Sequence, residues 1–227
     1  MIVLIGVLIG AIMIVGMVVQ SRLKAKFKKY SETPISSNLT GREIAEKMLE
    51  DNGITDVRVI SVNGQLTDHY NPLKKTVNLS EAVYGHRNAA AAAVAAHECG
   101  HAVQHAKAYT WLTLRSRLVP VVSFSSKYMQ WVILAGLAVA SSGSTTLLQV
   151  GIGLYAVTTL FTFLTLPVEF DASKRALSWL REHRMARPDE IEDSRDALKW
   201  AAMTYVVAAI SSLLTLLYYI SLLNRRR

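Results

Sequence analysis

The amino-acid sequence predicts a mainly α-helical integral membrane protein with about four transmembrane helices and a small α+β part on the cytoplasmic side. Three observations carry this. The 227 residues are 51% hydrophobic and only 19% charged, more apolar than a water-soluble chain of this length requires. Residues 1–21, 128–168 and 200–224 contain no Asp, Glu, Lys or Arg, and about 20 apolar helical residues suffice to cross hydrocarbon. Between the first two stretches, capping and turn residues separate short helical and extended patterns. This composition excludes a disordered chain. The single cysteine, Cys99, excludes an internal disulfide and a cysteine-rich zinc finger.

Residues 1–21 form the first span. A cleaved signal peptide carries its basic residues ahead of the apolar run, whereas here Arg22, Lys24, Lys26, Lys28 and Lys29 follow it. The segment therefore reads as an uncleaved anchor with a cytoplasmic C-terminal flank. Gly6 and Gly10 make a GxxxG, which either packs two helices closely or reflects how common glycine is in membrane helices.

Residues 22–127 form the cytoplasmic part. Thr40 and Glu43 have capping-box spacing ahead of an apolar face at Ile44, Met48 and Leu49, closed by Asn52-Gly53. Val57–Val62 reads as a strand, Asn63-Gly64 as a hairpin turn, and Gln65–Tyr70 as its returning strand. After the Asn71-Pro72 break, Lys75–Leu79 is again extended. Asn88 then caps a long helix opened by the alanines 89–93.

The 41 residues of 128–168 suit a two-span hairpin turning at Ser141-Ser142-Gly143-Ser144. Residues 169–199 are read as a cytoplasmic helix, and 200–224 as a last transmembrane or re-entrant segment. Trp131 and Trp200 lie near span ends, where an indole is at home in the interface. On this path residues 22–127 and 169–199 share one side. They hold 15 and 7 of the 25 Lys and Arg residues and all 17 acidic ones. The net charge of +8 is thus mostly a topology signal, and no nucleic-acid partner is expected. Arg225, Arg226 and Arg227 run against that bias, unless the last segment re-enters.

The long helix contains His97-Glu98-Cys99-Gly100-His101, an HExxH. Two histidines four apart share a helix face and can present a ring nitrogen each to one Zn²⁺. Glu98 can then reach a metal-bound water without occupying the metal, accept its proton and pass it to a leaving amine. A catalytic zinc takes three protein ligands and keeps an open position. His105 lies about 12 Å along the helix from His97, too far to join it on one ion, so it is a polar contact near the site or an ordinary helix residue. Glu169, directly after an apolar span, is the better third ligand, because a desolvated carboxylate needs a partner. The alternative is an interfacial acid paired with Lys174, Arg175 or water. Asp171 either orients a zinc histidine or pairs with a cation.

His97–His105 (HECGHAVQH), Leu166–Leu177 (LPVEFDASKRAL) and Leu66–Pro72 (LTDHYNP) together resemble the YugP-like bacterial membrane zinc metallopeptidases, over nearly the whole chain. The resemblance implies a neutral zinc-dependent peptidase in a bacterial cytoplasmic membrane, with one Zn²⁺ per chain. It implies His97 and His101 as ligands and Glu98 as base. More distantly the chain is similar to gluzincin membrane proteases, whose second motif is Glu-x-x-x-Asp. That supports Glu169 as ligand, and because Ser173 stands where the aspartate would, Asp171 or Ser173 takes the supporting role.

Zincin folds bind substrate as an added strand on a sheet edge. His69 or Tyr70, beside Asp68, either steadies the oxyanion from such an edge or belongs to a plain surface hairpin. Cys99 is a packing residue or an oxidation-sensitive ligand, and His86, His183 and Tyr109 read as surface residues. The expected function is a membrane-embedded endopeptidase acting on membrane-proximal or unfolded polypeptides. The rival is a non-catalytic scaffold with a structural zinc, for which His69 is the candidate fourth ligand. A channel is disfavoured by spans without charge. The partners are a polypeptide substrate and the lipid bilayer; a homo-oligomer or a membrane regulatory partner stays open.

Overall fold

A computed structural model describes residues 2–140 and 143–225. In chain order the elements are α1 (Ile2–Ser31), α2 (Gly41–Asp51), β1 (Arg58–Val62), β2 (His69–Asn71), β3 (Thr76–Ser80), α3 (Glu81–Tyr84), α4 (Ala89–Ala106), α5 (Thr110–Ala140), α6 (Thr146–Glu182) and α7 (Pro188–Asn224). Among the described residues α1, α5, α6 and α7 are long and apolar enough to cross a membrane. All four continue beyond the charge-free stretches. Residues 169–199 are accordingly not a helix of their own: they are the end of α6, a turn and the start of α7. Helix α7 is unbroken to Asn224, so the last segment does not double back as a re-entrant path would. Ser141 and Ser142 of the expected turn, with Arg226 and Arg227, lie outside the described residues; Gly143 follows at a φ of 92°.

The chain divides into two compact units. The first comprises Met1–Val19, Leu114–Leu166 and Thr204–Arg227. Its large apolar side chains, among them Val3, Leu4, Met13, Met17, Phe124 and Trp131, are exposed, as suits helices solvated by lipid. A Cβ at Gly136 would stand 2.6 Å from the backbone of Leu148, so α5 and α6 meet backbone to backbone there, beside a small cluster of Ile133, Leu148 and Ile152. Nothing lies within 4 Å of a Cβ at Gly6 or Gly10; the GxxxG packs against no other described element.

The second unit comprises Gln20–Thr113 and Pro167–Met203. Helix α2 starts on the expected capping box: Thr40 Oγ1 accepts from the Glu43 N–H, and Glu43 Oε2 accepts from the Thr40 N–H. Asn88 caps α4 by accepting from the Ala91 N–H at 2.8 Å. The alanines 89–93 are at most 1% exposed. Besides favouring helix, their small side chains let α4 run through the centre of the unit, packed with Ile44, Met48, Leu79, Val83 and Leu180. The α6–α7 turn is tied by Glu190, only 1% exposed, which accepts from the Arg187 N–H and from Ser36.

The sheet departs from the expected hairpin. Its order is β1-β3-β2, with β1 parallel to β3 and β2 antiparallel to it. Asn63-Gly64 does not join neighbouring strands. The hairpin is β2–β3, and its turn is made by Asn71, whose side-chain oxygen accepts from the Leu73 and Lys74 N–H groups. The physical reason is burial. All five residues of β3 are buried, so it takes the centre, and β1 and β2 become its flanks. Asp68 fastens the end of β3 by accepting from both the N–H and the hydroxyl of Ser80; burial pushes its carboxyl up from the usual range. This long-range demand overrides the local turn preference.

Candidate metal centre

Helix α4 presents His97 and His101 one turn apart, rings edge to face with centroids 4.8 Å apart. The third member comes from α6, and a glycine sets how near that helix approaches. A Cβ at Gly100 would lie 2.7 Å from the Ala172 carbonyl oxygen, so a side chain there would force the helices apart. With glycine in place, Glu169 Oε2 stands 3.4 Å from His97 Nε2 and 3.6 Å from His101 Nε2. The three ligand atoms lie within 4.8 Å of one another and can hold a metal ion.

The donor set fits zinc. Two ligands on a tetrahedral ion at about 2.0–2.1 Å are separated by about 3.4 Å, close to the separations found. Glu169 is 3% exposed, and its Oε2 has no hydrogen-bond partner. A bare carboxylate oxygen so placed is costly, and a cation among the three residues relieves it. Of the expected alternative partners, Arg175 pairs instead with Asp171 at 2.6 Å.

The far side of each imidazole is held differently. His101 Nδ1 is 3.0 Å from Gln104 Oε1. The amide nitrogen of Gln104 donates to the Val168 carbonyl and to Asp171 Oδ2, both at 2.8 Å. Because those partners only accept, the amide oxygen must face the imidazole, and His101 Nδ1 must carry the proton. In the neutral ring Nε2 then keeps its lone pair on the side facing Glu169. Burial alone would lower the His101 pKa, but the carboxylates of Glu169 and Glu98, with Gln104, raise it above its ordinary value. His97 Nδ1 instead meets one hydroxyl, Ser173 Oγ, at 3.2 Å.

Asp171 thus pairs with Arg175 and reaches His101 only through Gln104. Gln104, fully buried, was missed by sequence reasoning. Its signal was position: three residues after His101 and seven after His97, it shares their helix face.

The remaining candidates divide. Glu98 is 8% exposed, and its Oε2 accepts from the main-chain N–H of Tyr70 on β2 at 3.0 Å. Tyr70 therefore meets the site through its backbone. Its hydroxyl is 2.9 Å from His105 Nδ1, so neither that hydroxyl nor His105 is brought to the ligand group. His69 is exposed and bonds the Thr67 carbonyl oxygen. Cys99 is fully buried with Sγ 3.5 Å from the Ala45 carbonyl oxygen; burial raises its pKa well above the usual thiol value. It is a packing residue between α4 and α2 and not a member of the ligand group. Of the residues read as surface groups, His183 pairs with Asp51 at 3.0 Å.

A four-helix membrane chain with an HExxH helix and a glutamate completing a three-donor cluster is the arrangement of an integral membrane metallopeptidase. Residues 5–224 match the family model described as "Putative neutral zinc metallopeptidase", and the chain belongs to that family. It is 42% identical over 208 residues to the "Putative membrane protease YugP" of Bacillus subtilis (strain 168), covering 91% of each chain. No solved structure matches it.

Proposed function

We propose that the protein is a membrane-embedded zinc endopeptidase that hydrolyses membrane-proximal or unfolded polypeptides, with its site on the cytoplasmic side of a bacterial cell membrane. The observation that carries this reading is the convergence of His97, His101 and the orphaned Glu169 oxygen beside Glu98. His97 and His101 would hold one zinc ion through Nε2, and Glu169 through a carboxylate oxygen. When bound, zinc supplies Lewis acidity toward the scissile carbonyl and makes a water nucleophilic at neutral pH.

The protein's own groups supply the rest. The Tyr70 N–H holds Glu98 Oε2, leaving the other carboxylate oxygen to take the proton of the attacking water and return it to the leaving amine. Gln104 keeps the His101 proton on Nδ1, with Asp171 behind it, while Ser173 gives the His97 Nδ1 a hydrogen-bond partner without dictating its tautomer. The Lys and Arg bias of the two connecting segments supports the cytoplasmic placement.

The test is chelator-sensitive cleavage of an unstructured polypeptide by the purified full chain, comparing wild type with Glu98→Gln at matched zinc content. A loss of about 10²–10⁴-fold with zinc retained is expected; equal cleavage by both would remove Glu98 as the base. The scaffold reading gains no support from His69, which stands outside the three-donor group.

A further inference from the structure

Helices α6 and α7 line an open groove of about 510 Å³. On α6 it is lined by Phe170, Lys174 and Arg181, and on α7 by Arg195, Lys199 and Ala202, residues spaced so that each helix gives one face. No acidic side chain lines it. Arg195 pairs with Glu192, whereas Lys174, Arg181 and Lys199 have no acidic partner among the described residues.

The position of this groove along its helices is specific. Ala202 lies inside the charge-free stretch 200–224, and Phe170 follows the stretch 128–168 by two residues. Lys174 and Lys199 are the first cations met on leaving those stretches. The lining therefore grades from apolar to cationic where the two charge-free stretches give way to charged residues, which is where phospholipid phosphates would meet helices that span a bilayer over those stretches. Phe170 leaves 46% of its surface exposed.

We propose that the groove binds the headgroup of an anionic phospholipid, with Lys174 and Lys199 on the phosphate and Phe170 and Ala202 against the start of the acyl chains. The matching chemistry is a phosphate anion on an apolar tail. A soluble phosphate would leave the apolar wall unmatched, and an acidic peptide would leave unexplained its place at two span ends. Ser173, which meets His97, also lines the groove, so a lipid here lies directly behind one of the two site histidines. The proposal does not rest on peptidase activity.

The test is native mass spectrometry of the full chain in detergent, titrated with phosphatidylglycerol or with phosphatidylcholine of the same acyl chains. Wild type is expected to retain phosphatidylglycerol preferentially. K174Q/K199Q is expected to lose about thirtyfold in apparent affinity, two cations' worth near an anionic lipid. R22Q/K29Q removes the same charge from α1 without touching the groove, and is expected to keep the preference. Equal retention of both lipids, or equal losses in the two double variants, would overturn the site. Displacement of the lipid by inorganic phosphate or by polyglutamate at comparable concentration would overturn its assignment to a lipid.

Discussion

The two histidines of the HExxH helix lie one turn apart and carry the same side chain, yet the fold supports them unequally. His101 is locked by a fully buried amide whose other bonds reach the α6 backbone and Asp171. His97 leans on a single hydroxyl at 3.2 Å. An amide with every atom committed dictates a tautomer, whereas a hydroxyl rotates to suit either one. The difference teaches that an HExxH pattern specifies two ligand positions without specifying how firmly each is held.

That comparison can be broken at several depths. Glu169→Ala removes the group both imidazoles face, and is expected to leave the purified protein without stoichiometric zinc by elemental analysis. Gln104→Ala should follow, lowering zinc affinity by about 100-fold, toward the upper end for a residue that orients a ligand. Competition with a metallochromic chelator measures this. Ser173→Ala acts on the weaker support and should cost about tenfold in the same assay. If Ser173→Ala proves the more harmful, the proposed asymmetry is reversed.

Gly100→Ala leaves His97, His101 and Glu169 unsubstituted but forces a Cβ onto the Ala172 carbonyl of the helix that carries Glu169. It should destabilise by about 1–3 kcal/mol and weaken zinc binding with it, as thermal unfolding with and without chelator would show. The smallest effect is expected far from the metal. Thr40→Ala removes the cap of α2 and should cost about 1 kcal/mol while leaving zinc affinity unchanged. This separates loss of stability from loss of the site.

Much of the fold was legible along the chain because its signals are local. The three charge-free stretches, the Thr40–Glu43 capping box and the Asn88 cap depend on neighbours within a few residues; the caps lie where the pattern put them and the helices of membrane length number four, although α5 already starts at Thr110, inside the segment read as cytoplasmic. The sheet was not legible. Asn63-Gly64 is a strong local turn signal, but the position of β3 is decided by burial of all five of its residues, which the turn does not encode. The site divides likewise. The i, i+4 spacing on one helix made the histidines readable, and the approach of Glu169 was argued from the cost of an unpartnered acid. Gln104 went unseen because a glutamine on an alanine-rich helix has no motif of its own.

By itself the sequence determined what spacing and hydropathy can express: four membrane-length helices, a small mixed unit between them, and two imidazoles on one helix face. Only the tertiary structure decided which residues surround those imidazoles. Helix α6 meets α4 where Gly100 has no side chain, and that contact joins positions some seventy residues apart, carrying Glu169, Asp171 and Ser173 in with it. Periodicity reports which face of a helix is apolar; which other helix will press against it depends on packing across the whole unit.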